Sequence, residues 1–344
     1  MKKFLSLILA LVMVASLLAG CGNSGGGGGG GAASGSGSAS GSGASSGGAS
    51  GTPTSLSMAT GGTSGTYYGF SGVLAQVLNE KLGSVLDIAV VSTGASKANI
   101  QLVDAGENQL AIVQNDVMYY AYTGTDMFDG EDACTSFSAV ASCYPEEVQV
   151  IANSSITSID QLKGKKVSVG DAGSGVEFNA RQILAAYGLS FDDITVNNQS
   201  FADSADSLKN GTIDAAFVTA GAPTTAVTEL SSTYTFNVLP IDDEHLAALQ
   251  KDYGFYTAVT IPGGTYSCVA DDVQTVAVMA TIVARNDVPE DVIYEFTKGM
   301  FEYQSDIAAG HSKGELLNTE TGVSGISIPF HAGAEKYYKE VGAM

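Results

Sequence analysis

The chain has 344 residues, of which 44% are hydrophobic, and its formal net charge is −21 at pH 7. Such an acidic chain is a poor partner for nucleic acid or for anionic lipid headgroups, because like charges repel. The apolar content is sufficient for a large core, and a chain of this length usually divides into two lobes.

The N-terminal segment has the pattern of an export signal. Lys2 and Lys3 precede an apolar run at 4–18, which is shorter than the ~20 residues that span a bilayer. The segment closes with Leu18-Ala19-Gly20-Cys21, which has the form of a bacterial lipobox. We therefore expect that residues 1–20 are a lipoprotein signal peptide and that Cys21 is acylated, which would place the protein on the outer face of the cytoplasmic membrane. An ordinary thiol at Cys21, beside a cleaved signal, is the alternative.

A low-complexity segment follows Cys21. Residues 22–52 are almost wholly Gly, Ser and Ala. This composition offers too little apolar surface to offset the entropy lost on ordering, so we predict that residues 21–53 form the anchor and a flexible tether. A coil of this length spans ~30 Å.

The body alternates strand-length apolar runs with amphipathic segments, which predicts an α/β fold. The predicted strands are 56–60, 86–92, 110–114, 137–142, 148–152, 166–170, 213–219 and 275–284. One helical face is marked by Phe70, Val73, Leu74, Val77 and Leu78, and another by Val176, Ala180, Ile183, Leu184 and Tyr187. The sequence Ser158-Ile159-Asp160-Gln161 matches a capping box that opens a short helix ending at Gly164.

One local design occurs twice in the body. A strand ending at Thr60 runs into Gly61-Gly62-Thr63-Ser64-Gly65-Thr66 and a helix, and a strand ending at Gly170 runs into Asp171-Ala172-Gly173-Ser174-Gly175 and a helix. Glycines allow close backbone approach, and the N-terminus of a helix favours negative charge. Two such loops, one on each lobe, predict a clamp that closes on a carboxylate. Tight turns without a ligand are the alternative for either loop alone.

Metal ions, nucleotides and other cofactors are not indicated. His245, His311 and His331 lack the spacing of metal ligands, and the glycine loops lack the lysine of a P-loop. Cys134 and Cys143 could form a disulfide, but separate thiols fit equally well. We expect no cofactor and no catalytic residues.

Six segments, in order along residues 55–342, are similar to one known family. They are Ala59-Thr60-Gly61-Gly62-Thr63-Ser64-Gly65-Thr66-Tyr67-Tyr68, Thr93-Gly94-Ala95-Ser96, Ala111-Ile112-Val113-Gln114-Asn115-Asp116, Gly173-Ser174-Gly175-Val176-Glu177-Phe178-Asn179-Ala180-Arg181-Gln182, Phe217-Val218-Thr219-Ala220-Gly221-Ala222-Pro223 and Ala334-Glu335-Lys336-Tyr337-Tyr338. They resemble the TAXI family of extracytoplasmic solute-binding proteins, the receptor subunits of one class of tripartite ATP-independent periplasmic (TRAP) transporters. The resemblance implies a two-lobed periplasmic-binding fold of the second type, with a ligand cleft between the lobes. It also implies a small carboxylate ligand, such as glutamate, glutamine or 2-oxoglutarate, and delivery to a separate membrane permease.

On that fold, lobe one would comprise residues 54–148 and 274–344, and lobe two residues 149–273. The candidate ligand-binding residues of lobe one are Gly62, Thr63, Thr66, Tyr67, Ser92, Ser96, Gln114, Asn115 and Asp116. Those of lobe two are Ser174, Gly175, Glu177, Thr219, Ala220 and Gly221.

Several of these candidates have a structural alternative. The ring of Tyr67 would cover the aliphatic part of a ligand or pack in the core. Asp116 would hold an α-amino group or cap its own helix. Arg181 would grip a carboxylate or pair with Glu177 at i, i+4.

The sequence thus predicts a monomeric, non-enzymatic receptor that carries a small carboxylate to a TRAP permease. Two alternatives stay open, because both need the same closure on a ligand. One is a ligand-sensing lipoprotein that docks on a membrane kinase, and the other is the binding protein of an ATP-driven importer.

Overall fold

The computed structural model describes residues 52–344. The predicted signal peptide, the lipidation site Cys21 and most of the predicted tether lie outside the described residues. Within residues 52–344, none of the helices combines the length and the apolar character needed to cross a bilayer.

The described chain contains ten strands and eleven α-helices. The strands are β1 Thr54–Ala59, β2 Leu86–Val91, β3 Leu110–Gln114, β4 Phe137–Asn153, β5 Lys166–Ser168, β6 Thr195–Asn197, β7 Ala215–Ala220, β8 Phe236–Leu239, β9 Thr257–Ile261 and β10 Val273–Arg285. The helices are α1 Thr66–Leu82, α2 Ser96–Asp104, α3 Asn115–Thr123, α4 Gly175–Ala186, α5 Phe201–Lys209, α6 Thr225–Ser231, α7 Asp243–Asp252, α8 Glu290–Glu302, α9 Gln304–Gly310, α10 Thr319–Gly322 and α11 Ala332–Glu340. Short 3-10 helices occupy Asp126–Phe128, Ile159–Leu162, Phe191–Asp193 and Ser312–Leu316.

The strands form one sheet in the order β2-β1-β3-β10-β4-β7-β5-β6, with β8 beside β4 and β9 beside β10. Pairing is parallel at each end of the sheet, where β1 lies between β2 and β3 and β5 lies between β6 and β7. The two long strands β4 and β10 are antiparallel to each other and to their other neighbours. They are shared by both ends of the sheet, so the chain passes from one side to the other in β4 and returns in β10.

Buried side chains form separate clusters at the two ends of the sheet, which we call lobe one and lobe two. In lobe one, α1, α8 and α11 pack on one face of β1–β3 and α2 and α3 on the other. In lobe two, α4 and α7 cover one face of β5 and β7 and α5 and α6 the other. Each fully buried large apolar side chain contributes ~1.5–3 kcal/mol to folding. The two cores and the double crossing confirm the predicted two-lobed α/β fold class.

Both predicted helical faces are confirmed. In α1, Phe70, Leu74 and Leu78 are fully buried against the sheet. In α4, Ala180, Ile183 and Leu184 are fully buried, while Val176 is 5% exposed. A spacing of three and four residues therefore predicts correctly which side of each helix meets its sheet.

Two local predictions are wrong. The strands predicted at 137–142 and 148–152 are one strand, because Pro145 takes its place in the ladder opposite Met279 instead of ending it. The capping box at Ser158 does not form: Ser158 makes no side-chain cap bond, and Gln161 Oε1 accepts from the Thr157 N–H at 2.9 Å. The predicted short helix is nevertheless present as a 3-10 turn, Ile159–Leu162, in which Gln161 bonds to Thr157 instead of to Ser158.

The cysteine alternative is resolved by the structure. Cys134, Cys143 and Cys268 are free thiols. Burial raises the pKa of the Cys143 thiol, so this side chain is a small apolar core residue.

Candidate functional site

A cavity of about 40 Å³ lies between the lobes. It is lined by Gly61, Gly62, Ser64, Gly65, Thr66, Tyr67, Ala95, Ser96, Gln114, Glu146, Asp171, Ser174, Gly175, Val176, Phe201, Thr219 and Ala220. Both glycine loops singled out in the sequence contribute to this lining, one from each lobe. The structure therefore brings the two loops together at one cleft.

Four helices begin at this cavity. The residues that precede the first turns of α1, α2, α3 and α4 are Gly65, Ala95, Gln114 and Ser174, and all four line the cavity. No side-chain cap bond is made at Gly65, Ala95 or Gln114 within the described part of the chain. Because free N–H groups and the positive ends of helix dipoles favour an anion, the convergence of these helices suits a carboxylate.

The start of α2 is held by a network of hydrogen bonds. Ala95 has a backbone φ of 69°, which is uncommon for a residue with a side chain, and its N–H donates to Thr93 Oγ1 at 3.1 Å. Thr93 Oγ1 also donates to the Asn99 carboxamide at 2.5 Å, and Asn99 Nδ2 donates to the backbone oxygen of Ile112 at 2.8 Å. These hydrogen bonds hold the strained backbone at Ala95 in place at the cavity wall. Backbone strain of this kind is common at ligand sites.

Glu146 lines the cavity, although it is not among the candidates predicted from the sequence. It lies in the middle of β4, is 2% exposed, and accepts a 2.5 Å hydrogen bond from the Tyr67 hydroxyl at Oε1. Burial raises the pKa of Glu146 well above its ordinary value, and the bond from Tyr67 opposes this rise. The available signal is the pair of glutamates at 146 and 147 between two apolar runs, a pattern that by itself indicates a break between strands.

Two buried polar atoms in the cavity wall have no partner within residues 52–344. They are Gln114 Oε1 and Thr219 Oγ1, on side chains that are 1% and 3% exposed. Buried polar groups are almost always hydrogen-bonded, so two unpartnered atoms in this wall are unusual, and a polar ligand could satisfy them once the walls part. They are a second indication of a ligand site, independent of the helix ends.

Nine of the fifteen candidate residues line the cavity. They are Gly62, Thr66, Tyr67, Ser96, Gln114, Ser174, Gly175, Thr219 and Ala220. Tyr67 packs in the lobe-one core, as one of its two interpretations expects, and it also lines the cavity.

The other six candidates lie outside the lining. In lobe one, Thr63 is exposed to solvent, and exposed Ser92 donates to the Gly61 carbonyl at 2.9 Å. Asn115 Oδ1 accepts from the Met279 N–H at 3.0 Å. Asp116 accepts from the Val117 N–H at 2.8 Å and from Asn179 Nδ2 at 3.1 Å, so its carboxylate is bound within the first turn of α3 and to α4.

The remaining two outliers belong to lobe two. Glu177 Oε2 accepts from the Gly173 N–H at 2.6 Å, and its Oε1 lies 3.9 Å from Arg181 Nη2, so the i, i+4 interpretation of Arg181 is the one realised. The carbonyl of Gly221 accepts from Thr66 Oγ1 at 2.8 Å and joins the two lobes.

Further bonds connect the lobes beside the cavity. Gln114 Nε2 donates to Asn179 Oδ1 at 3.0 Å, and the Ala226 N–H donates to the Ser64 carbonyl at 3.3 Å. The Ala222 N–H of lobe two donates to Glu147 Oε2 at 2.8 Å, and Glu147 Oε1 forms an ion pair within lobe one with Lys313 Nζ at 3.4 Å. The two walls of the cleft are therefore in direct contact, with the cavity enclosed between them.

Within the part of the protein that the structure describes, the ionisable carboxyl side chains in the cavity lining have no basic side chain to balance them. Its lining contains two carboxyl side chains, Glu146 and Asp171, and no lysine, arginine or histidine from residues 52–344. Burial raises the pKa of Asp171 as well. Positive potential in the described site thus comes from backbone helix ends, while the side chains supply acids.

Comparisons with known proteins agree with this architecture. The sequence pattern of the NMT1-like family matches residues 58–342. A solved structure from Bordetella bronchiseptica is 15% identical, with a TM-score of 0.50 and coverage of 84% of this chain and 89% of that one, a likeness that shows the fold alone. The periplasmic aliphatic sulphonate binding protein SsuA from Escherichia coli is 17% identical, with a TM-score of 0.48 and coverage of 84% and 83%.

Proposed function

The chain belongs to the NMT1-like family, and we propose that it is the extracytoplasmic solute-binding receptor of a TAXI-type TRAP transporter. In this role it captures a small carboxylate between its lobes and delivers it to a membrane permease. The lobes close on the ligand and later open to release it, and the ligand itself is not changed chemically.

One observation carries the proposal: helices from both lobes begin at the same cavity. The α1 end belongs to lobe one and the α4 end to lobe two, and Gly65 and Gly175 let each backbone approach the space between them. A ligand carboxylate held by both ends favours the closed arrangement, because it gains contacts there that an open cleft cannot offer. Closure on a ligand is the signal that a permease can recognise.

Individual residues have distinct roles in this scheme. The backbone of the Gly61–Gly65 loop and the start of α4 receive the carboxylate, and Gln114 and Thr219 offer polar atoms to the rest of the ligand. Phe201 and Tyr67 supply apolar walls. The cavity of about 40 Å³ is far smaller than the ~300–1,000 Å³ of ordinary ligand pockets, so the walls must move apart to admit a ligand.

The lobe boundaries and the hinge are part of the proposal. We assign residues 54–148 and 274–344 to lobe one and residues 149–273 to lobe two. The core clusters support this division to within a few residues, because the lobe-two clusters begin at Val148 and Ile151 and also include Val276 and Val278 of β10. The hinge then lies where β4 and β10 run from one core to the other.

The cellular placement follows the sequence. We assign the protein to the outer face of the cytoplasmic membrane, held by acylated Cys21. Metabolic labelling with a fatty-acid analogue tests this assignment: the wild-type chain should incorporate label and Cys21→Ser should not.

A thermal-shift screen tests the ligand class. The mature chain, carrying Cys21→Ser to prevent acylation, is melted with amino acids, oxo acids, dicarboxylic acids, neutral sugars and polyamines. A ligand at 100 times its Kd stabilises the folded state by ~2.7 kcal/mol, which is a measurable shift. The proposal expects a small carboxylate to raise Tm, and a shift by sugars or polyamines with no acid active would contradict it.

Uptake into proteoliposomes tests the partner. The acylated receptor and a TRAP permease are reconstituted together, and labelled ligand is added under an ion gradient without ATP. Uptake that needs both proteins and the gradient supports the TRAP assignment. Uptake that requires an ATP-driven importer, or binding to a sensor kinase without uptake, would replace it.

A further inference from the structure

Glu146 is a buried acid with a free oxygen at the ligand cavity. The Tyr67 hydroxyl bonds to Oε1, and no hydrogen bond to Oε2 is found within residues 52–344. Because Glu146 lines the cavity, that second oxygen is available to a group that enters it. Glu146 is therefore positioned to accept a hydrogen bond from a donor group of the ligand, and the bond from Tyr67 fixes the orientation of its side chain.

The surroundings of Glu146 within residues 52–344 lack a free cation. The titratable groups close enough to influence the pKa of Glu146 are Cys143, Tyr144 and Glu147 of β4, Tyr67 of α1 and Asp116 of α3. Lys313 is the nearest cation among the described residues, and its Nζ lies 3.4 Å from Glu147 Oε1, so its charge is already paired. An ionised Glu146 would therefore need a positive charge brought in from outside.

The same charges discriminate between ligand classes. A single carboxylate is accommodated by the helix ends, but a second carboxylate would meet Glu146 and Asp171, which can offer it at most a protonated carboxyl, and the described lining has no cationic side chain to pair with it. A ligand that carries one carboxylate and one ammonium group matches both the helix N-termini and the acidic side chains of the lining.

We propose that Glu146 receives the ammonium group of the ligand, and that the receptor selects an α-amino acid over oxo acids and dicarboxylic acids that lack an amino group. This assignment rests on the proposed function, since it refines the ligand of the same cavity. Glu146 replaces Asp116 as the predicted partner of the amino group, because the Asp116 carboxylate already accepts hydrogen bonds from Val117 and Asn179.

Binding then carries a proton change. Burial raises the pKa of Glu146 well above its ordinary value, which favours the protonated carboxyl when no cation is bound. When an ammonium group arrives, the carboxyl proton leaves to solvent and the carboxylate pairs with the ammonium. Amino-acid binding should release up to one proton and strengthen as pH rises toward the pKa of Glu146, whereas an oxo acid should release none at this group.

Calorimetric titration with matched ligands tests the assignment. The probes are alanine, pyruvate and propionate as one set and glutamate, 2-oxoglutarate and glutarate as another. Each is titrated into the mature Cys21→Ser chain, into the same chain with Glu146→Gln, and into a control with Glu315→Gln. The carboxamide introduced by Glu146→Gln keeps an acceptor for the Tyr67 hydroxyl, and Glu315 is an exposed residue outside the cavity.

The expected result is a difference between members of one set. The amino acid should bind at least about tenfold more tightly than its oxo acid, and E146Q should remove this preference while leaving oxo-acid affinity within about threefold. E315Q should behave as the parent chain. Equal affinity for the amino acid and the oxo acid, or an equal loss of both in E146Q, would overturn the assignment.

Two outcomes distinguish the role of Glu146 from the proposed function of the protein as a carboxylate receptor. Preferred binding of an oxo acid or a dicarboxylic acid would overturn the role of Glu146 and leave the carboxylate receptor intact. Failure of all carboxylates to bind would contradict both. If E146Q does not fold, proton release by the parent chain, measured in buffers of different ionisation enthalpy, decides the matter: release with the amino acid alone supports the role, and equal release with its oxo acid rejects it.

Discussion

Gly175, the first residue of α4, touches the side chain of Gln114 across the cleft, and a β-carbon at Gly175 would overlap Gln114 Oε1. Gln114 cannot turn aside freely, because it is 1% exposed and its Nε2 donates to Asn179 at 3.0 Å. The lobes thus approach at a distance that glycine permits and any larger residue prevents.

Replacement of Gly175 should therefore weaken ligand binding. We expect Gly175→Ala to hold the α4 end away from lobe one and to reduce affinity by about tenfold or more, with little loss of Tm. Gly72→Ala is the matched control, because Gly72 is a helical glycine in α1 with open space where a β-carbon would lie. Titration calorimetry compares the two, and equal affinity in both variants would remove the α4 start from the site.

Loss of the Tyr67 hydroxyl should destabilise the fold around Glu146. Tyr67→Phe removes the donor to a buried carboxyl oxygen, so the free energy of unfolding should fall by ~1–3 kcal/mol. The pKa of Glu146 should rise further, because the donor opposes the effect of burial. Tyr68→Phe, at the next position of α1, is the control, and urea unfolding with an unchanged midpoint for both variants would show that the Tyr67 bond contributes nothing.

The buried ion pair between Lys313 and Glu147 should matter more than any surface pair. The side chains are 8% and 13% exposed, and Glu147 Oε2 also accepts from the Ala222 N–H at 2.8 Å. Lys313→Met leaves a buried carboxylate without its cation and should cost ~3–5 kcal/mol, of which the double variant with Glu147→Gln should recover a large part.

A double-mutant cycle measures this coupling. Lys336→Met provides the control, since Lys336 and Glu290 are more than half exposed and such pairs contribute little. Additive losses in the double variant would mean that Lys313 and Glu147 are not coupled.

Stability should depend on pH through Asp116. Burial raises the pKa of Asp116 from 3.8 to about 6, so the folded state binds its proton more tightly than the unfolded state does. The contribution of this group to stability is therefore greatest below pH 4 and is lost as pH rises to about 6, by up to ~3 kcal/mol. Relative to Asp116→Asn, the parent chain should lose stability between pH 4 and pH 6 and show a constant difference above pH 7. A difference that does not vary with pH would contradict the buried-acid interpretation.

Periodicity and glycine spacing predict the α/β class and the two glycine loops, whereas the double crossing between the lobes is expected only from the family resemblance. The faces of α1 and α4 and the two glycine loops follow from local rules, because a helix needs one apolar face and a close backbone approach needs glycine. Residues of those loops, such as Thr66 and Ser174, line the cavity.

Positions that depend on tertiary pairing cannot be predicted in this way. Glu146 lies in a segment that looks like a connection in the sequence, and only the pairing of β4 with β10 turns it toward the cavity. Asp116 follows a strand at the correct end of the sheet, but the arrival of Asn179 from the other lobe occupies its carboxylate. Such contacts join residues that are far apart along the chain, and no local pattern encodes them.

A crystal structure of the chain with the ligand found in the thermal-shift screen tests the central claim most directly. We expect one ligand carboxylate within hydrogen-bonding distance of backbone N–H groups at the starts of both α1 and α4. A ligand bound elsewhere, or held by one lobe with the other loop out of contact, would contradict it.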